Sequence, residues 1–409
     1  MIILCSYNDY NYKMRREVMN DETKKGSRWL ILFLLFAAFM GSFAARMIWS
    51  PFIASASEEF GINAAQAGLF VSMFYIGYMV TQLPGGILAD RIGVKYVLSI
   101  SVMITGIFTL LISVIDSYTL GLVFRLLAGL GSGTIVACSS RVIASSFEVQ
   151  RRGTAMGIFF SATMAGLLLS NTLAPVALRI GTWRTGFLWL GAGLIILAVL
   201  LFLFIQKEPR KITNETVFGG VITVFTVKNV LIMAFVGFAY IWLVLAFATW
   251  ANRYMGSIGI DVAAAAAVMS WYSVAGLVGT IVGGWVVDAL KLNRRYFVII
   301  LFVLMIITTF VFSVQTTILG LSIVAAVYGF VSYLPNSNLT SLVITYAGDK
   351  YAATAVGGTN FIWQFGAVLS PTIAGAVFGA TGSFSAVWIV LIALPVMGIL
   401  GLFLLRNKQ

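Results

Sequence analysis

The chain has 409 residues, of which 60% are hydrophobic and only 10% are charged, and it carries a formal net charge of +12. A water-soluble domain has roughly 25% charged residues because its surface must be hydrated, so this composition excludes an ordinary soluble enzyme or binding domain. The basic residues stand in short clusters between long apolar runs, which is typical of membrane-protein loops and excludes a basic nucleic-acid-binding face.

Twelve apolar runs follow one another along the chain, each long enough to cross a hydrocarbon core as a helix of about twenty residues. The predicted fold class is therefore an all-α polytopic membrane protein with twelve transmembrane helices. The predicted spans are 29–54, 64–88, 96–115, 118–142, 154–176, 185–206, 229–250, 263–287, 296–314, 317–342, 354–379 and 383–405. The opening segment shows no cleavable signal peptide and is predicted to be a cytoplasmic tail.

The basic residues orient these spans. Of the 26 Lys and Arg residues, 21 lie in segments on the side of the two termini and 3 lie on the opposite side. Because cytoplasmic segments are enriched in Lys and Arg, this bias predicts a multi-pass protein of the cell membrane with both termini in the cytoplasm. The predicted domains are a cytoplasmic N-terminal tail 1–28, an N-terminal six-helix half 29–206, a cytoplasmic central loop 207–228, a C-terminal six-helix half 229–405 and a cytoplasmic C-terminus 406–409.

The two halves contain matching segments. A glycine pair stands five and four residues before Asp90, and another stands at the same spacing before Asp288, with basic residues following in both cases. Duplicated halves around a site at the membrane midplane are an architecture of secondary transporters. Small residues let helix ends approach closely, and a loop aspartate can hold a gate between the halves closed.

The segment Gly86–Lys95 resembles the loop signature of the major facilitator superfamily between its second and third helices, G-x-L-A-D-R-x-G-x-K, with Val94 where a basic residue is usual. The segment Arg125–Gly133 resembles the helix 4 motif of the same superfamily. The resemblance covers almost the whole chain after residue 28 and implies two pseudo-symmetric six-helix bundles that work by alternating access. The predicted gating residues are Gly86, Asp90, Arg91, Gly93, Lys95 and Asp288.

Arg46 and Arg125 are predicted to lie inside the first and fourth spans, where a charge costs at least a few kcal/mol and usually faces a cavity or a partner. At the helical rise, Arg125 is roughly 10 Å and Arg46 roughly 12–15 Å from the outer ends of their spans, so both lie at a similar depth. Two guanidinium groups at one level repel unless an anion lies between them, which favours a carboxylate or phosphate site. The alternatives are a structural role for Arg125 and an Arg46 side chain that extends outward to the interface.

This pair of arginines resembles the anion:cation symporter branch of the superfamily, whose members carry organic acids, sugar acids and phosphate. The segments Ala56–Asp90 and Gly181–Phe187 are also similar to that branch. Proton-coupled members often carry acids at the positions of Ala45 and Ser132, whereas none of the 14 acids here is predicted in mid-membrane and histidine is absent. The sequence therefore disfavours proton symport through a protein carboxylate and leaves a uniporter, an exchanger or a symporter whose proton travels on the substrate.

Further polar side chains are predicted at membrane depth. Three of them share one face of the second helix. Five lie in the second half, namely Tyr240, Asn336, Asn338, Asn360 and Gln364. Each of them can instead serve helix packing through interhelical hydrogen bonds. The predicted substrate-binding residues are Arg46, Arg125, Tyr75, Tyr78, Gln82, Tyr240, Asn360 and Gln364.

We therefore expect a secondary transporter of a small organic anion, such as a carboxylate, a sugar acid or a phosphate ester. Two alternatives stay open: an exporter of amphipathic, drug-like compounds, and a non-transporting membrane sensor. An enzyme is not expected, because the sequence contains no recognisable acid–base pair, metal cluster or activated nucleophile. We expect no cofactor, no metal ion and no nucleic-acid partner, and a monomer whose partners are its substrate and the lipid bilayer.

Overall fold

The computed structural model describes residues 28–82, 84–205, 226–348 and 351–405, except for the side chains of residues 87, 90, 149, 150 and 353. Within these residues, twelve spans are long and apolar enough to cross a membrane. We label the spans α1 to α12. Their bounds are α1 Arg28–Phe60, α2 Ala64–Gln82, α3 Val94–Val114, α4 Tyr118–Ser146, α5 Arg151–Ile180, α6 Trp183–Phe204, α7 Lys228–Ser257, α8 Val262–Ala289, α9 Arg294–Val314, α10 Ile318–Ala347, α11 Thr354–Thr381 and α12 Phe384–Phe403. The number and order of these spans confirm the predicted fold class.

Polar residues between the spans determine where several helices begin and end. Lipid supplies no hydrogen-bond partners, so the backbone groups of a span must be satisfied within the protein. The side chains of Asp261 and Asn293 accept hydrogen bonds from the first backbone N–H groups of α8 and α9, and Ser117 and Thr317 do the same for α4 and α10. Gly61 ends α1 with a φ of 62°, a left-handed conformation that glycine adopts without a steric penalty.

Three spans are interrupted in their interior, which the sequence did not predict. The span α1 contains a 3₁₀ turn at Ser50–Phe52 before it continues as Ile53–Phe60. The other two interrupted spans are α4, formed by Tyr118–Ser132 and Ile135–Ser146, and α10, formed by Ile318–Tyr333 and Pro335–Ala347. In α10 the break coincides with Pro335, whose ring nitrogen has no hydrogen to donate to the preceding turn.

The predicted span 64–88 is two helices in the structure. α2 ends at Gln82, and a short helix, Pro84–Ile92, follows it. Pro84 is the first residue of this second helix, the position at which a missing backbone N–H costs least. The glycine pair of the predicted gating loop therefore lies inside a short helix rather than in an open loop.

Glycines bring the second and fourth helices of each half into backbone contact. A Cβ atom at Gly129 of α4 would overlap the carbonyl oxygen of Phe74 in α2, and a Cβ atom at Gly329 of α10 would overlap the carbonyl oxygen of Tyr272 in α8. Lipid-embedded helices associate through close packing rather than through hydrophobic burial, so small residues are favoured at such contacts. The internal repeat predicted from the loops therefore extends to the packing of the helices.

The chain begins and ends its twelve crossings on the same side of the bundle. We call the side with Arg28 and Leu405 the terminal face, and the side with Phe60 and Gly61 the distal face. At the distal face, Arg184 of α6 forms ion pairs with Glu59 at 2.7 Å and with Asp116 at 3.1 Å. These pairs join the end of α1 to the α3–α4 connection and to the start of α6.

Gly129→Ala is expected to lower the midpoint of thermal unfolding of the detergent-solubilised protein, because the added methyl group forces α2 and α4 apart. Overpacking of this kind costs about 1–3 kcal/mol. Gly193→Ala is the matched control, because a Cβ atom at Gly193 of α6 meets nothing within 4 Å. An unchanged midpoint for Gly129→Ala would contradict the backbone contact.

Candidate functional site

Three of the predicted site residues, Arg46, Tyr75 and Tyr78, lie together in the first half. Arg46 is only 4% exposed. Its guanidinium carbon lies 4.0 Å from the centroid of the Tyr78 ring and 5.9 Å from that of the Tyr75 ring. Contacts between a cation and aromatic faces offset part of the hydration that a buried guanidinium loses. The helices α1 and α2 thus place the positive charge of Arg46 against the rings of Tyr75 and Tyr78, which we call the aromatic wall.

Arg46 has a hydroxyl partner and no carboxylate partner among the described residues. Its Nη2 atom donates to Ser132 Oγ at 3.0 Å, and this oxygen lies 2.5 Å from Ser42 Oγ. The Nε atom of Arg46 is buried and makes no hydrogen bond within the described chain. No described Asp or Glu side chain is buried in the protein. A buried charge without a counter-ion is costly, so the surroundings of Arg46 favour the binding of an anion.

Arg125 lies next to Arg46, but its donors are already engaged. Its Nε atom donates to the carbonyl oxygen of Phe70 at 3.0 Å, and Nη1 and Nη2 donate to those of Ala45 and Arg46 at 2.6 and 2.9 Å. The regular helix at the start of α1 ends at Met47. Carbonyl groups at a helix end lack helical donors, and the guanidinium of Arg125 supplies them. This geometry supports the structural role rather than two guanidinium groups that share one anion.

The predicted residues Gln82, Asn360 and Gln364 form an amide cluster that joins the two halves. Gln82 Nε2 of α2 donates to Asn360 Oδ1 of α11 at 2.8 Å, and Gln364 Nε2 lies 3.5 Å from the same oxygen. The Oε1 atom of Gln82 is buried without a hydrogen-bond partner in the described chain. Because Gln82 follows Tyr78 by one helical turn, the amide cluster lies beside the aromatic wall and offers a free acceptor to a hydroxyl group.

Tyr240 makes its described contacts within the second half. Its hydroxyl donates to the carbonyl oxygen of Ser332 at 2.8 Å, and its ring packs 6.4 Å from that of Phe302 in α9. The hydroxyl of Tyr240 is therefore hydrogen-bonded within the second half, and this contact supports helix packing.

The second half contains a tyrosine cluster that the sequence did not identify. The rings of Tyr272 and Tyr328 are stacked at 5.9 Å, and Tyr333 lies 6.1 Å from Tyr272. The hydroxyls of Tyr272 and Tyr328 are buried and have no hydrogen-bond partner within the described residues. A tyrosine in an apolar span has the same sequence context whether it faces lipid, another helix or a cavity. No sequence signal therefore identifies Tyr272, Tyr328 and Tyr333 as a cluster.

The two halves are in direct contact toward the distal face. The hydroxyls of Ser72 and Thr372 lie 2.8 Å apart, and a Cβ atom at Gly68 of α2 would overlap the carbonyl oxygen of Pro371 in α11. Pro371 of α11 therefore lies at a close contact between the two halves. These contacts close the space between the halves on the distal side of Arg46.

A set of neutral hydrogen bonds completes this closure, and we call its members Ser50, Asn171 and Asn252 the distal gate. Ser50 Oγ of α1 donates to the carbonyl oxygen of Thr249 in α7 at 2.6 Å. Asn252 Nδ2 of α7 donates to Asn171 Oδ1 of α5 at 3.0 Å. Both bonds join one half to the other. Sequence reasoning missed all three residues, because single polar side chains near span ends are common.

The glycines of the predicted gating segment have different environments. Gly93 has a φ of 106° at the start of α3, a conformation that favours glycine. Gly85 packs against Thr134 of α4, whereas a Cβ atom at Gly86 would meet nothing within 4 Å. The close approach that the sequence suggested for this segment is therefore made by Gly85.

The charged residues of the gating segments lie at the terminal face. Arg91 is exposed at the end of the helix that follows α2, and Lys95 Nζ lies 4.8 Å from a phenylalanine ring of α6. Asp288 forms an ion pair with Arg294 in its own half. The side chain of Asp90 lies outside the described residues.

Comparison with known proteins gives the family. A family model described as the Major Facilitator Superfamily matches residues 34–371. The hexuronate transporter of Bacillus subtilis (strain 168) is 25% identical over 385 residues, which cover 88% of this chain and 90% of that protein. A probable sulfoacetate transporter of Cupriavidus necator is 28% identical over 357 residues, which cover 80% of this chain and 82% of that protein.

The fold has a counterpart among solved structures. A bacterial homolog of the human lysosomal transporter Spinster, in an inward-facing and occupied conformation, aligns with a TM-score of 0.78 at 16% identity over 92% of this chain and 96% of that one. The names of the relatives agree with the expected transport of an organic anion. The match over residues 34–371 confirms the resemblance carried by Gly86–Lys95. The chain belongs to the Major Facilitator Superfamily.

Proposed function

We propose that the protein is a secondary transporter of a small organic anion, which binds to Arg46 between the two halves. The observation that carries this proposal is the buried guanidinium of Arg46, whose described partner is the hydroxyl of Ser132 and not a carboxylate. A carboxylate or phosphate group supplies the missing charge and accepts two parallel N–H bonds from one guanidinium. Relatives named as hexuronate and sulfoacetate transporters support an organic acid.

Each site residue then has a distinct role. Arg46 binds the charged group of the substrate against the rings of Tyr78 and Tyr75, and the amide cluster of Gln82, Asn360 and Gln364 binds its hydroxyl or carbonyl groups. Asn360 and Gln364 belong to the second half, so one substrate contacts both halves at once. A ligand that contacts both halves changes the relative stability of their arrangements, which is the requirement for alternating access.

The basic residues support a cytoplasmic location for the terminal face, because cytoplasmic segments are enriched in Lys and Arg. The contacts of Gly68 and of the distal gate then close the extracellular side, which corresponds to an inward-facing state. In the alternate state the distal gate opens and the segments around Asp90 and Asp288 close the cytoplasmic side.

We propose that no carboxylate of the protein at membrane depth takes part in coupling transport to protons. The described acids lie at or near the ends of spans, as Glu59, Asp116 and Asp261 do, and none of them is buried. The buried polar groups near the site are arginines, hydroxyls and amides, and no carboxylate lies among those that the structure describes. Transport is then uniport, exchange, or symport in which the substrate itself carries the proton.

Arg46→Ala is expected to slow the uptake of D-glucuronate into proteoliposomes at least about 100-fold at subsaturating substrate, because loss of charged hydrogen bonds costs about 3 kcal/mol. Arg46→Lys keeps the charge but loses the planar fork, so an intermediate rate is expected. Initial rates of radiolabelled uptake measure the effect, and the midpoint of thermal unfolding shows that each variant folds. Rates near wild type for Arg46→Ala would contradict the proposed site.

Ser132→Asp tests the same proposal by adding a carboxylate next to Arg46 instead of removing the arginine. The new carboxylate would pair with Arg46 and occupy the place of the substrate anion, so the affinity for D-glucuronate should fall about tenfold or more. Ser132→Ala removes the hydroxyl without adding charge and should keep the affinity within about threefold. If Ser132→Asp binds the anion as tightly as wild type, the charge of Arg46 is not what recognises the substrate.

Arg125→Ala is expected to lower the midpoint of thermal unfolding more than Arg46→Ala does, because three buried carbonyl oxygens lose their donor. Each unsatisfied buried group costs about 1–3 kcal/mol. Arg125→Lys should not restore the midpoint, since one ammonium group does not reproduce the fork. A variant Arg125→Ala with wild-type stability but no anion binding would identify Arg125 as a ligand instead.

A proton gradient alone is expected to drive no uphill uptake of a fully ionised substrate. Proteoliposomes contain the same concentration of D-glucuronate inside and outside, and a pH difference is imposed across their membrane. Both pH values are well above the pKa of the substrate's carboxyl group, and net accumulation of D-glucuronate is measured. Preloaded vesicles without a pH difference, in which only exchange occurs, serve as the control. Net accumulation under the gradient would show that the protein carries the proton.

A further inference from the structure

A cavity lies at the distal face, on the far side of the distal gate from Arg46. It has a volume of about 270 Å³ and lies between α1 of the first half and helices of the second half. Its lining combines the polar residues Ser50, Asn252 and Arg253 with the rings of Phe378 and Phe384. Pockets for drug-sized ligands have volumes of roughly 300–1,000 Å³, so this cavity fits only a small solute.

Arg253 lines this cavity with a positive charge and one unbonded donor. Its Nε atom is buried and has no hydrogen-bond partner among the described residues. The guanidinium carbon lies 5.7 Å from the centroid of the Phe378 ring, a contact that orients the group without neutralising it. The acid that follows it in the chain, Asp261, is engaged at the start of α8, where it accepts from the backbone N–H groups of Ala263 and Ala264.

Asn252 connects the cavity to the distal gate. This residue is 8% exposed, and its Nδ2 atom donates to Ser50 Oγ at 3.3 Å and to Asn171 Oδ1 at 3.0 Å. Its Oδ1 atom is buried and accepts no hydrogen bond from the described chain. A side-chain amide offers two N–H donors and one carbonyl acceptor, so Asn252 can donate to a carboxylate and accept from a hydroxyl of the same molecule.

We propose that this cavity is a second anion-binding site, at which a small hydroxy carboxylate binds Arg253 and Asn252 before it reaches Arg46. Binding there replaces the hydrogen bonds that Asn252 donates to Ser50 and Asn171, so an occupied cavity favours an open distal gate. The positive charge of Arg253 also raises the local concentration of anions at the opening between the halves. This inference rests on the proposed function, because the same anion uses both sites.

The first experiment measures binding of D-glucuronate to the detergent-solubilised protein by titration calorimetry. In Arg46→Ala, which lacks the central charge, a weak residual binding is expected. In the double variant Arg46→Ala with Arg253→Gln this residual affinity should fall about tenfold or more. The matched control combines Arg46→Ala with Arg179→Gln, which removes an exposed arginine at the distal end of α5, and should keep the residual binding.

The second experiment measures transport from each side in proteoliposomes of known orientation. Arg253→Gln should raise the half-saturating concentration for D-glucuronate about tenfold on the distal side and leave that on the terminal side unchanged. Release of D-glucuronate to the distal side passes through the same cavity in reverse. The maximal rate of transport toward that side should therefore also fall in Arg253→Gln. Arg179→Gln should change neither value, and thermal unfolding midpoints should show that both variants are folded.

The outcomes separate this inference from the proposed function. If Arg46→Ala abolishes transport while Arg253→Gln behaves as wild type, the second site is wrong and the proposed function stands. Equal changes on both sides in Arg253→Gln would also overturn the second site. If the wild type neither binds nor moves any organic acid, the proposed function fails.

A lipid headgroup has the same anionic chemistry as a free carboxylate, and a competition experiment distinguishes the two. Residual binding to Arg46→Ala is titrated in the presence of short-chain phosphatidic acid. If the lipid binds through Arg253 and D-glucuronate does not displace it, the cavity is a lipid site, which overturns the role in solute capture. Displacement by D-glucuronate supports that role.

Discussion

The charge of Arg46 is the constraint on which the rest of the site depends. A guanidinium at membrane depth costs several kcal/mol, and here it is balanced by aromatic rings and one serine hydroxyl instead of a carboxylate. The scaffold keeps that charge in place. The first regular helix of α1 ends directly after Arg46, and Arg125 donates to the carbonyl groups of this helix end. Backbone contact at Gly129 holds α4 against α2, and with it Ser132 next to Arg46.

The two halves of the molecule contribute different chemistry to one site. The first half supplies the buried positive charge, and the second supplies neutral amides and tyrosines. The distal gate is made of hydrogen bonds between neutral groups, such as the bond between Asn171 and Asn252. Neutral hydrogen bonds contribute about 0.5–1.5 kcal/mol each, so a ligand that offers equivalent acceptors can replace them. In the mechanism that we propose, Arg46 and Arg253 are two positive sites in series, and the distal gate lies between them.

The sequence was most informative where lipid restricts the chain most strongly. Because an unpaired backbone group is costly in hydrocarbon, a long apolar run has essentially one structure available, and the twelve spans could be read directly from the chain. Interruptions such as Ser50–Phe52 and Leu334–Pro335 were not predicted. Their free backbone groups are tolerated because distant parts of the chain provide partners or close packing, and hydropathy does not contain that information.

The sequence by itself determined the membrane class, the number of spans, the duplicated loop segments and the presence of two arginines at depth, since these follow from composition and spacing. Only the tertiary structure distinguished the two arginines, because they have the same side chain at a similar depth. The difference comes from their neighbours: Arg125 reaches backbone carbonyls of α1 and α2, whereas Arg46 reaches a serine of α4. These contacts join residues far apart in the chain, so helix packing alone decided which guanidinium is bonded to backbone carbonyls and which keeps an unbonded Nε atom among the described residues.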